Sequence, residues 1–197
     1  QIGYLPEEKG LYKHMKVMDL LQFFAALKGF RQARTEARRW LDELGLEVLR
    51  LEMDAGGIEV RSTLVHGGER PFGLHYEWSL DSAWQTRRLK LHLRAEEDRS
   101  MTIERTGAAS WRIDDQDFGA LYGCDEVDIS ATPFCNGLAV RRLRQRRGEL
   151  TALYVDVPEF SLSPSLQRYE DLGTDRWRYV DLGVAGGVAV AEQVKQH

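Results

Sequence analysis

From about residue 46 onward, the chain alternates between apolar and polar residues, and this period restricts the possible folds more than any other feature. In the segment 72–80, apolar residues alternate with glycine, histidine, glutamate and serine. The apolar residues are Phe72, Leu74, Tyr76, Trp78 and Leu80. A period of two places their side chains on one face of an extended strand. The pattern is typical of an antiparallel sheet that packs one face on a core.

The same period recurs in other segments, and turn-forming residues separate them. Leu89, Leu91 and Leu93, for example, form a second apolar row. Clusters rich in glycine, aspartate and arginine mark turns at 54–57, 66–70, 96–99, 146–148 and 173–175. We therefore predict about eight to eleven successive strands without a helical crossover, forming a curved antiparallel sheet or an incomplete β-barrel.

The first 46 residues show a helical period instead. Apolar residues recur at helical spacing in two stretches that end at Gly29 and Gly45, and Thr35 can cap the second stretch. The apolar positions are Val17, Leu20, Leu21, Phe24 and Leu27, then Ala37, Trp40, Leu41 and Leu44. The predicted fold class is therefore mainly β, of the α+β type, with two N-terminal helices.

Composition and charge exclude several classes of partner. The net charge is −4 and no block of basic residues is present, so nucleic acid is not expected as a partner. No stretch approaches the roughly 18 consecutive apolar residues of a transmembrane helix, and we expect neither a transmembrane segment nor a signal peptide. Cys124 and Cys135, the two cysteines, are typical of a reduced cytoplasmic protein. They could either pair or occupy buried positions.

The segment 124–143, CDEVDISATPFCNGLAVRRL, holds a group of candidate functional residues. Asp128, Ser130 and Thr132 lie two apart, so in a strand they share one face. This polar row is either exposed to solvent or oriented into a cavity, where it would fix the polar part of a ligand.

Further candidates follow this row. Asn136 precedes Gly137, and because this pair favours a tight turn, Asn136 serves either the turn or a ligand. Arg141 and Arg142 would point to opposite faces of a following strand. One of them could pair with Asp128 or with an anionic head group.

Arg168, Tyr169 and Trp78 complete the predicted ligand-binding set. Arg168 and Tyr169 serve either internal pairing or ligand contact. Trp78 lies on the apolar row of its strand and belongs to the core by default, although its ring would also suit an acyl chain.

No arrangement of residues indicates catalysis, a metal or a cofactor. The histidines show neither HxH nor HExxH spacing, so no metal site is predicted. Asp125 follows Cys124 and would raise the pKa of its thiol rather than activate it. Carboxylates alone do not define a glycosidase, because their separation decides the chemistry. We therefore predict a protein without catalytic residues or cofactors.

The opening sequence QIGYLPEEKGLYKHMKVMDLLQFFAALKG resembles part of an ABC transporter ATPase, from the strand before the Q-loop into the helical subdomain. Glu7 stands where many such ATPases carry the Q-loop glutamine. The chain has no GxxxxGKS or GxxxxGKT string to cradle phosphates and no LSGGQ-like signature, so ATP hydrolysis is not expected. We interpret residues 1–46 as a helical fragment, joined by a natural or artificial fusion, and not as an independent domain.

Residues 47–197 resemble the glycolipid-binding family of bacterial cytosolic proteins. The similarity rests on segments in a fixed order, with DISATPFCN and RRL followed by YVDVP and QRY. The resemblance implies one antiparallel β domain, an incomplete barrel similar to carriers of bacterial lipoproteins. Cys135 departs from the family pattern, in which threonine is more usual, and the tail after Leu182 is short.

The resemblance and the one-sided strands favour a cytoplasmic, non-enzymatic protein. Its expected partner is a lipid or glycolipid-like amphipathic small molecule, bound in the concavity of the sheet. One alternative is an enzyme acting on an apolar or sugar-containing substrate, with Asp128 as general acid or base. Another is a structural or partner-interaction module with a filled core. The pattern predicts no particular oligomeric state.

Overall fold

The computed structural model describes residues 17–27, 29–143, 148–173 and 176–184. Its helices are α1 (Val17–Leu27), α2 (Ala33–Leu44) and α3 (Phe134–Leu143), with a short 3-10 helix at Gly119–Leu121. Its strands are β1 (Leu46–Asp54), β2 (Gly57–His66), β3 (Phe72–Leu80), β4 (Thr86–Arg94), β5 (Arg99–Gly107), β6 (Ser110–Ile113), β7 (Gln116–Asp117), β8 (Glu126–Ile129), β9 (Glu149–Asp156), β10 (Ser161–Asp171) and β11 (Trp177–Val184). Glu7 and parts of the predicted turns at 146–148 and 173–175 lie outside the described residues.

The strands form two sheets. The large sheet is a seven-stranded antiparallel meander in the order β1 to β7, and it does not close. The small sheet has four strands in the order β11-β10-β9-β8. The predicted fold class, mainly antiparallel β with two N-terminal helices, is confirmed.

The predicted absence of a helical crossover is wrong. Strands β8 and β9 pair in parallel, and α3 lies between them in the chain. Parallel strands run in the same direction, so the connection between them must carry the chain back along the sheet, and a helix is the usual solution. The rest of both sheets is antiparallel.

The tight turn predicted at Asn136–Gly137 is also wrong, because both residues lie inside α3. The hydroxyl of Thr132 accepts a hydrogen bond from the N–H of Phe134 at 3.2 Å, which satisfies one of the unpaired donors of the first helical turn. Pro133 precedes the helix, a position that tolerates its missing N–H. The buried positions of α3 recur at helical spacing and are Cys135, Leu138, Ala139 and Leu143. Their burial outweighs the local turn preference of one Asn-Gly pair.

Glycines permit the connections at two positions. Gly45, predicted to end the second helix, follows α2 with a φ of +68°. Gly57 has a φ of +143°, and a Cβ there would lie 2.3 Å from the carbonyl oxygen of Leu80. The Asp54 carboxylate accepts hydrogen bonds from the N–H groups of Gly56 and Gly57, at 2.7 and 3.1 Å, and so closes the β1–β2 hairpin.

The main core lies between the two sheets. The large sheet contributes its predicted apolar rows, including Tyr76, Trp78 and Leu89, which are fully buried. The small sheet contributes Val127 and Ile129 of β8 and, from β9, Leu153 and Val155. We call the faces that meet here the inner faces of the two sheets.

A second core lies on the opposite, outer face of the small sheet. Here Ala139 and Leu143 of α3 pack with Leu150 and Ala152 of β9 and with Tyr169 of β10. The other side of α3 contributes Cys135 and Leu138 to the main core. The helix therefore joins the two cores.

A buried carboxylate links the sheets and α3. Glu126 of β8 lies 3.2 Å from Nη2 of Arg105 on β5 and 3.8 Å from Nε of Arg142 on α3. The Glu126 side chain is only 2% exposed and the Arg105 side chain 10%. The carboxylate also accepts a hydrogen bond from the N–H of Thr86 at 3.3 Å.

Arg105 is held by contacts from several elements. Its guanidinium donates to the carbonyl oxygens of Thr86, Ala108 and Asp125, each at 2.8 Å. It also stacks over the ring of Trp111, with Cζ 4.1 Å from the ring centroid. Burial lowers the pKa of the guanidinium, and Glu126 opposes this shift. The group therefore depends on Glu126 for compensation of its charge.

Cys124 and Cys135 are free and buried. Burial, followed by the charge of Asp125, raises the pKa of the Cys124 thiol to about 11. Of the two readings left open by the sequence, the structure shows buried thiols. None of the described helices combines the length and the apolar character needed to cross a membrane.

Substitution of Glu126 by alanine should strongly destabilise the fold. Removing one partner of a buried ion pair leaves the other charge uncompensated, and we expect a loss of about 3–5 kcal/mol in the free energy of unfolding. Urea denaturation measures this loss. The matched control is Glu149→Ala, which breaks a pair with Arg168 whose side chains are both 43% exposed and should cost about 1 kcal/mol or less. Equal losses in the two variants would contradict the central role of Glu126.

Candidate functional site

The outer face of the small sheet carries a cluster of polar and aromatic side chains. Pairing places Asp128 of β8 beside Tyr154 of β9. In the neighbouring strand pair of the same sheet, Tyr169 of β10 lies opposite Tyr179 of β11, and Gln167 lies opposite Asp181. Because directly paired residues share a face, these side chains lie on one face of the small sheet, which we call the tyrosine face; Gln167 and Tyr169 are buried on it.

A chain of hydrogen bonds crosses the tyrosine face. Nε2 of Gln167 donates to Oδ2 of Asp128 at 2.6 Å. The hydroxyl of Tyr169 lies 2.9 Å from Oδ1 of Asn136 on α3 and 3.2 Å from Oε1 of Gln167. The chain thus runs from β8 through β10 to α3 and holds Asp128 and Asn136 in defined positions.

Electrostatics on this face keep the tyrosines neutral. Burial is the largest cause that raises the pKa of Tyr169 and of Tyr179, and the negative charge of Asp128 comes next for both. Burial and then Asp156 raise the pKa of Tyr154. All these hydroxyl groups therefore stay protonated near neutral pH and can both donate and accept hydrogen bonds.

The tyrosine face is amphipathic along its length. At one end, Trp177 and Val140 are half-buried and pack beside Tyr169 and Tyr179, whose rings are 5.3 Å apart. At the other end lie Asp128, Tyr154 and the serines of β10 whose side chains point to this face. The Ser165 hydroxyl is 3.5 Å from Oδ1 of Asp181. An apolar aromatic wall therefore leads into a surface rich in donors and acceptors.

The structure places the predicted polar row in three different environments. Asp128 belongs to the tyrosine face. Ser130 follows the end of β8, where its hydroxyl accepts a hydrogen bond from the N–H of Val157 at 2.9 Å. Thr132 points toward the large sheet and donates to the Glu47 carboxylate at 2.8 Å. The common face that alternation predicted for the three residues is not formed, because β8 ends at Ile129.

Thr132 belongs to a hydrogen-bond cluster around Glu47 of β1. This carboxylate also accepts from the hydroxyl groups of Ser62 on β2 and Tyr76 on β3, at 2.6 and 2.7 Å. The cluster fastens the segment before α3 to three strands of the large sheet. Its hydroxyl groups donate to a carboxylate of the protein itself, so Thr132 stabilises the fold.

Trp78 and Arg142 are part of the core structure. Trp78 is fully buried, and its indole N–H donates to the hydroxyl of Thr86 at 2.8 Å. Arg142 lies beside Glu126 and donates to the carbonyl oxygen of Asp125 at 3.0 Å. The opposite-face placement predicted for Arg141 and Arg142 on a strand is wrong, since both lie in the last turn of α3.

Arg141 and Arg168 lie outside the tyrosine face. The guanidinium of Arg141 stacks over the ring of Trp84, with Cζ 3.9 Å from the centroid. Arg168 pairs with Glu149 at 2.6 Å on the face of β10 opposite to Tyr169. Of the predicted ligand-binding residues, the structure brings together Asp128, Asn136 and Tyr169.

Sequence reasoning missed Gln167, Tyr154, Tyr179 and Asp181. A signal for the first was available in SLSPSLQRYED, where serines, Gln167 and Tyr169 alternate with leucine, proline and arginine. That period selects Gln167 together with Tyr169 and excludes Arg168. The remaining residues become neighbours only through strand pairing between β9, β10 and β11, which the sequence pattern does not specify.

The ligand was predicted to bind in the concavity of the curved sheet. In the structure, the small sheet and α3 pack on that surface, and the middle of the large sheet's inner face is buried. This packing does not support the predicted location. Within the four described ranges, no group of three or more histidine, cysteine or carboxylate side chains is arranged to hold a metal ion.

Comparison with known proteins identifies two kinds of similarity. The sequence profile of a family described as "Putative glycolipid-binding" matches residues 38–193. A crystal structure of a DUF1089 family protein from Pseudomonas aeruginosa is similar in fold, with a TM-score of 0.65 and 28% sequence identity. The similarity covers 77% of this chain and 83% of that protein.

A short part of the chain is similar to ABC transporter ATP-binding proteins. YhaQ of Bacillus subtilis (strain 168), an uncharacterized protein of this type, is 50% identical over 48 residues, which are 23% of this chain and 16% of YhaQ. MJ1023 of Methanocaldococcus jannaschii is 46% identical over 46 residues, or 22% of this chain and 18% of its own length. The chain thus spans less than a fifth of each of these curated relatives.

The Tyr169→Phe substitution should destabilise the protein and reduce its sensitivity to alkali. Loss of the hydroxyl leaves buried acceptors without their donor, at a cost of about 1–2 kcal/mol near neutral pH. In the wild type, the raised pKa of Tyr169 means that its contribution is complete below pH of about 10 and is lost as the pH rises further. Denaturant unfolding at several pH values should show a shallower alkaline decline in the variant.

The control for this substitution is Tyr122→Phe, because Tyr122 is 56% exposed. It should change neither the stability nor its pH dependence. An equally steep alkaline decline in wild type and Tyr169→Phe would contradict the assigned role of the buried hydroxyl.

Proposed function

Because this chain belongs to the glycolipid-binding family, we propose that it binds a lipid or glycolipid-like amphipathic ligand without converting it. The proposal locates the ligand on the tyrosine face rather than between the sheets. The observation that carries this location is the gradient along the face, from the half-buried Trp177 and Val140 to Asp128 and its hydrogen-bonded neighbours.

The chemistry of the face suits a sugar head group. A sugar presents several hydroxyl groups, each of which both donates and accepts, together with apolar C–H faces. Carboxylate, amide and hydroxyl groups of the face match the sugar hydroxyl groups. The rings of Tyr154 and Tyr179 offer surface for the apolar C–H faces. Trp177 and Val140 would contact the beginning of the attached apolar chain.

The geometry around Asp128 orients its carboxylate. It accepts a hydrogen bond from the Gln167 amide, and a carboxylate has further lone pairs that can accept from a ligand hydroxyl. The enzyme alternative, with Asp128 as general acid or base, requires turnover that the binding proposal does not. The module alternative is favoured by the packed inner faces and requires that no small ligand bind at all.

The proposal includes the organisation and location of the chain. We propose that residues 47–197 form the binding domain and that residues 1–46 are an ATPase-like helical fragment. In the described part, α1 packs on α2, and α2 contacts β2. A cytoplasmic location is supported by the two buried free thiols.

Calorimetric titration with octyl glucoside, below its micelle concentration, tests the proposed function. We expect saturable binding to the full chain and weaker binding of octylphosphocholine, which has the same apolar chain but no sugar. The Asp128→Asn substitution should weaken octyl glucoside binding about tenfold, a change of about 1.4 kcal/mol, and leave octylphosphocholine binding unchanged.

Asp117→Asn is the matched control, since Asp117 lies on β7 in a surface pair with Arg112 and should not affect either titration. Absence of binding by both amphiphiles would overturn the proposal and favour the module alternative. Release of free glucose that disappears in Asp128→Asn, with binding retained, would instead favour the enzyme alternative.

A further inference from the structure

Strand β1 lies at one edge of the large sheet among the described strands. It pairs along its full length with β2, from Leu46 opposite Val65 to Asp54 opposite Gly57. Among the strands of the described residues, β2 is its only neighbour. The other edge of β1 therefore presents backbone N–H and C=O groups that can pair with a further strand.

Three apolar side chains of β1 are exposed at this edge. Val48 is 68% exposed, Met53 63% and Leu49 37%. Natural proteins usually protect a long edge strand with charged side chains, proline, a bulge or a covering element. No proline occurs in β1, and its pairing with β2 continues without a register shift.

Strand β1 carries four charged residues of both signs, Glu47, Arg50, Glu52 and Asp54. Arg50 and Glu52 lie on either side of Leu51, and their side chains form an ion pair at 2.7 Å. They remain largely accessible, at 77% and 48% exposure. Two like charges here would repel a second copy of the same strand, whereas one positive and one negative charge can attract it.

We propose that β1 is a self-association surface, at which a second copy of this chain pairs antiparallel with a two-fold axis at Leu51. This register places Arg50 of each copy opposite Glu52 of the other. On the other face, it places Leu49 opposite Met53 of the second copy and brings the two Leu51 side chains together. The charges of Arg50 and Glu52 then alternate around the axis, and Leu49 and Met53 become covered, while Val48 lies opposite Asp54 of the second copy.

Moving the two-fold axis to a neighbouring residue keeps the faces of the two sheets continuous but loses the Arg50–Glu52 pairing. An axis at Arg50 places two arginines directly opposite each other, and an axis at Glu52 does the same with two glutamates. An axis at Leu49 leaves Arg50 opposite Val48. A shift by one residue would join the inner face of one sheet to the outer face of the other. Charge complementarity therefore selects the axis at Leu51.

Cysteine cross-linking of the full chain tests both the surface and the register. In Leu51→Cys, the two new cysteines would lie directly opposite, with Cα atoms about 4.5–5.5 Å apart, which suits a disulfide. In the matched control Leu49→Cys, the two cysteines would be about 13 Å apart along the strands and should not cross-link. Cys124 and Cys135 are buried and should not contribute under native conditions.

Mild oxidation followed by non-reducing electrophoresis should give a dimer of Leu51→Cys and a monomer of Leu49→Cys. Efficient cross-linking of both would overturn the register, and cross-linking of neither would overturn the surface. Sedimentation equilibrium on the unmodified protein must show a monomer–dimer equilibrium, and a monomer at every concentration up to about 200 μM, where even a weak dimer is populated, overturns the proposal.

A charge exchange separates pairing through β1 from dimerisation elsewhere. Arg50→Glu or Glu52→Arg alone should weaken the dimer about tenfold, because each places like charges opposite across the axis. The double variant Arg50→Glu with Glu52→Arg should restore it. Single variants that leave the dimerisation constant unchanged, with circular dichroism confirming the fold, would overturn the proposal.

Discussion

The buried carboxylate of Glu126 is the interaction on which the arrangement of the two sheets and α3 depends. It contacts Arg105 from the large sheet and Arg142 from α3, while its own strand, β8, forms the edge of the small sheet. Taking these charges out of water is costly, and the partners and backbone carbonyls offset that cost. The need to pair these charges fixes the distance and orientation of β8, β5 and α3, which apolar packing alone would hold less specifically.

This arrangement determines which surfaces remain available for a ligand. Once β8 and β9 lie against the large sheet, the inner faces form the main core, and Asp128 of β8 and Gln167 of β10 are directed to the outer face. There α3 covers one end of the small sheet and supplies Asn136 as a partner of Tyr169. The same helix that completes the fold therefore borders the tyrosine face, and the proposed binding surface follows from the architecture.

The period of two along the chain was sufficient to predict the strands, the large meander and its buried face. It could not predict α3, because the Asn136–Gly137 pair favours a turn locally, while helical burial of Leu138 and Leu143 wins in the folded chain. The candidate site was predicted in part. Asp128, Asn136 and Tyr169 come together, whereas Arg142 and Thr132 serve internal bracing. Pairing between distant strands, which no local pattern encodes, decides these outcomes.

The central claim is that the ligand binds on the outer face of the small sheet and not between the sheets. Chemical-shift mapping of isotope-labelled protein during titration with octyl glucoside tests it most directly. The account predicts that the shifts concentrate at Asp128, Tyr154, Gln167 and Tyr179, while Tyr76 and Trp78 on the inner face stay unchanged. Shifts centred on Tyr76 and Trp78, with the tyrosine face unaffected, would contradict it.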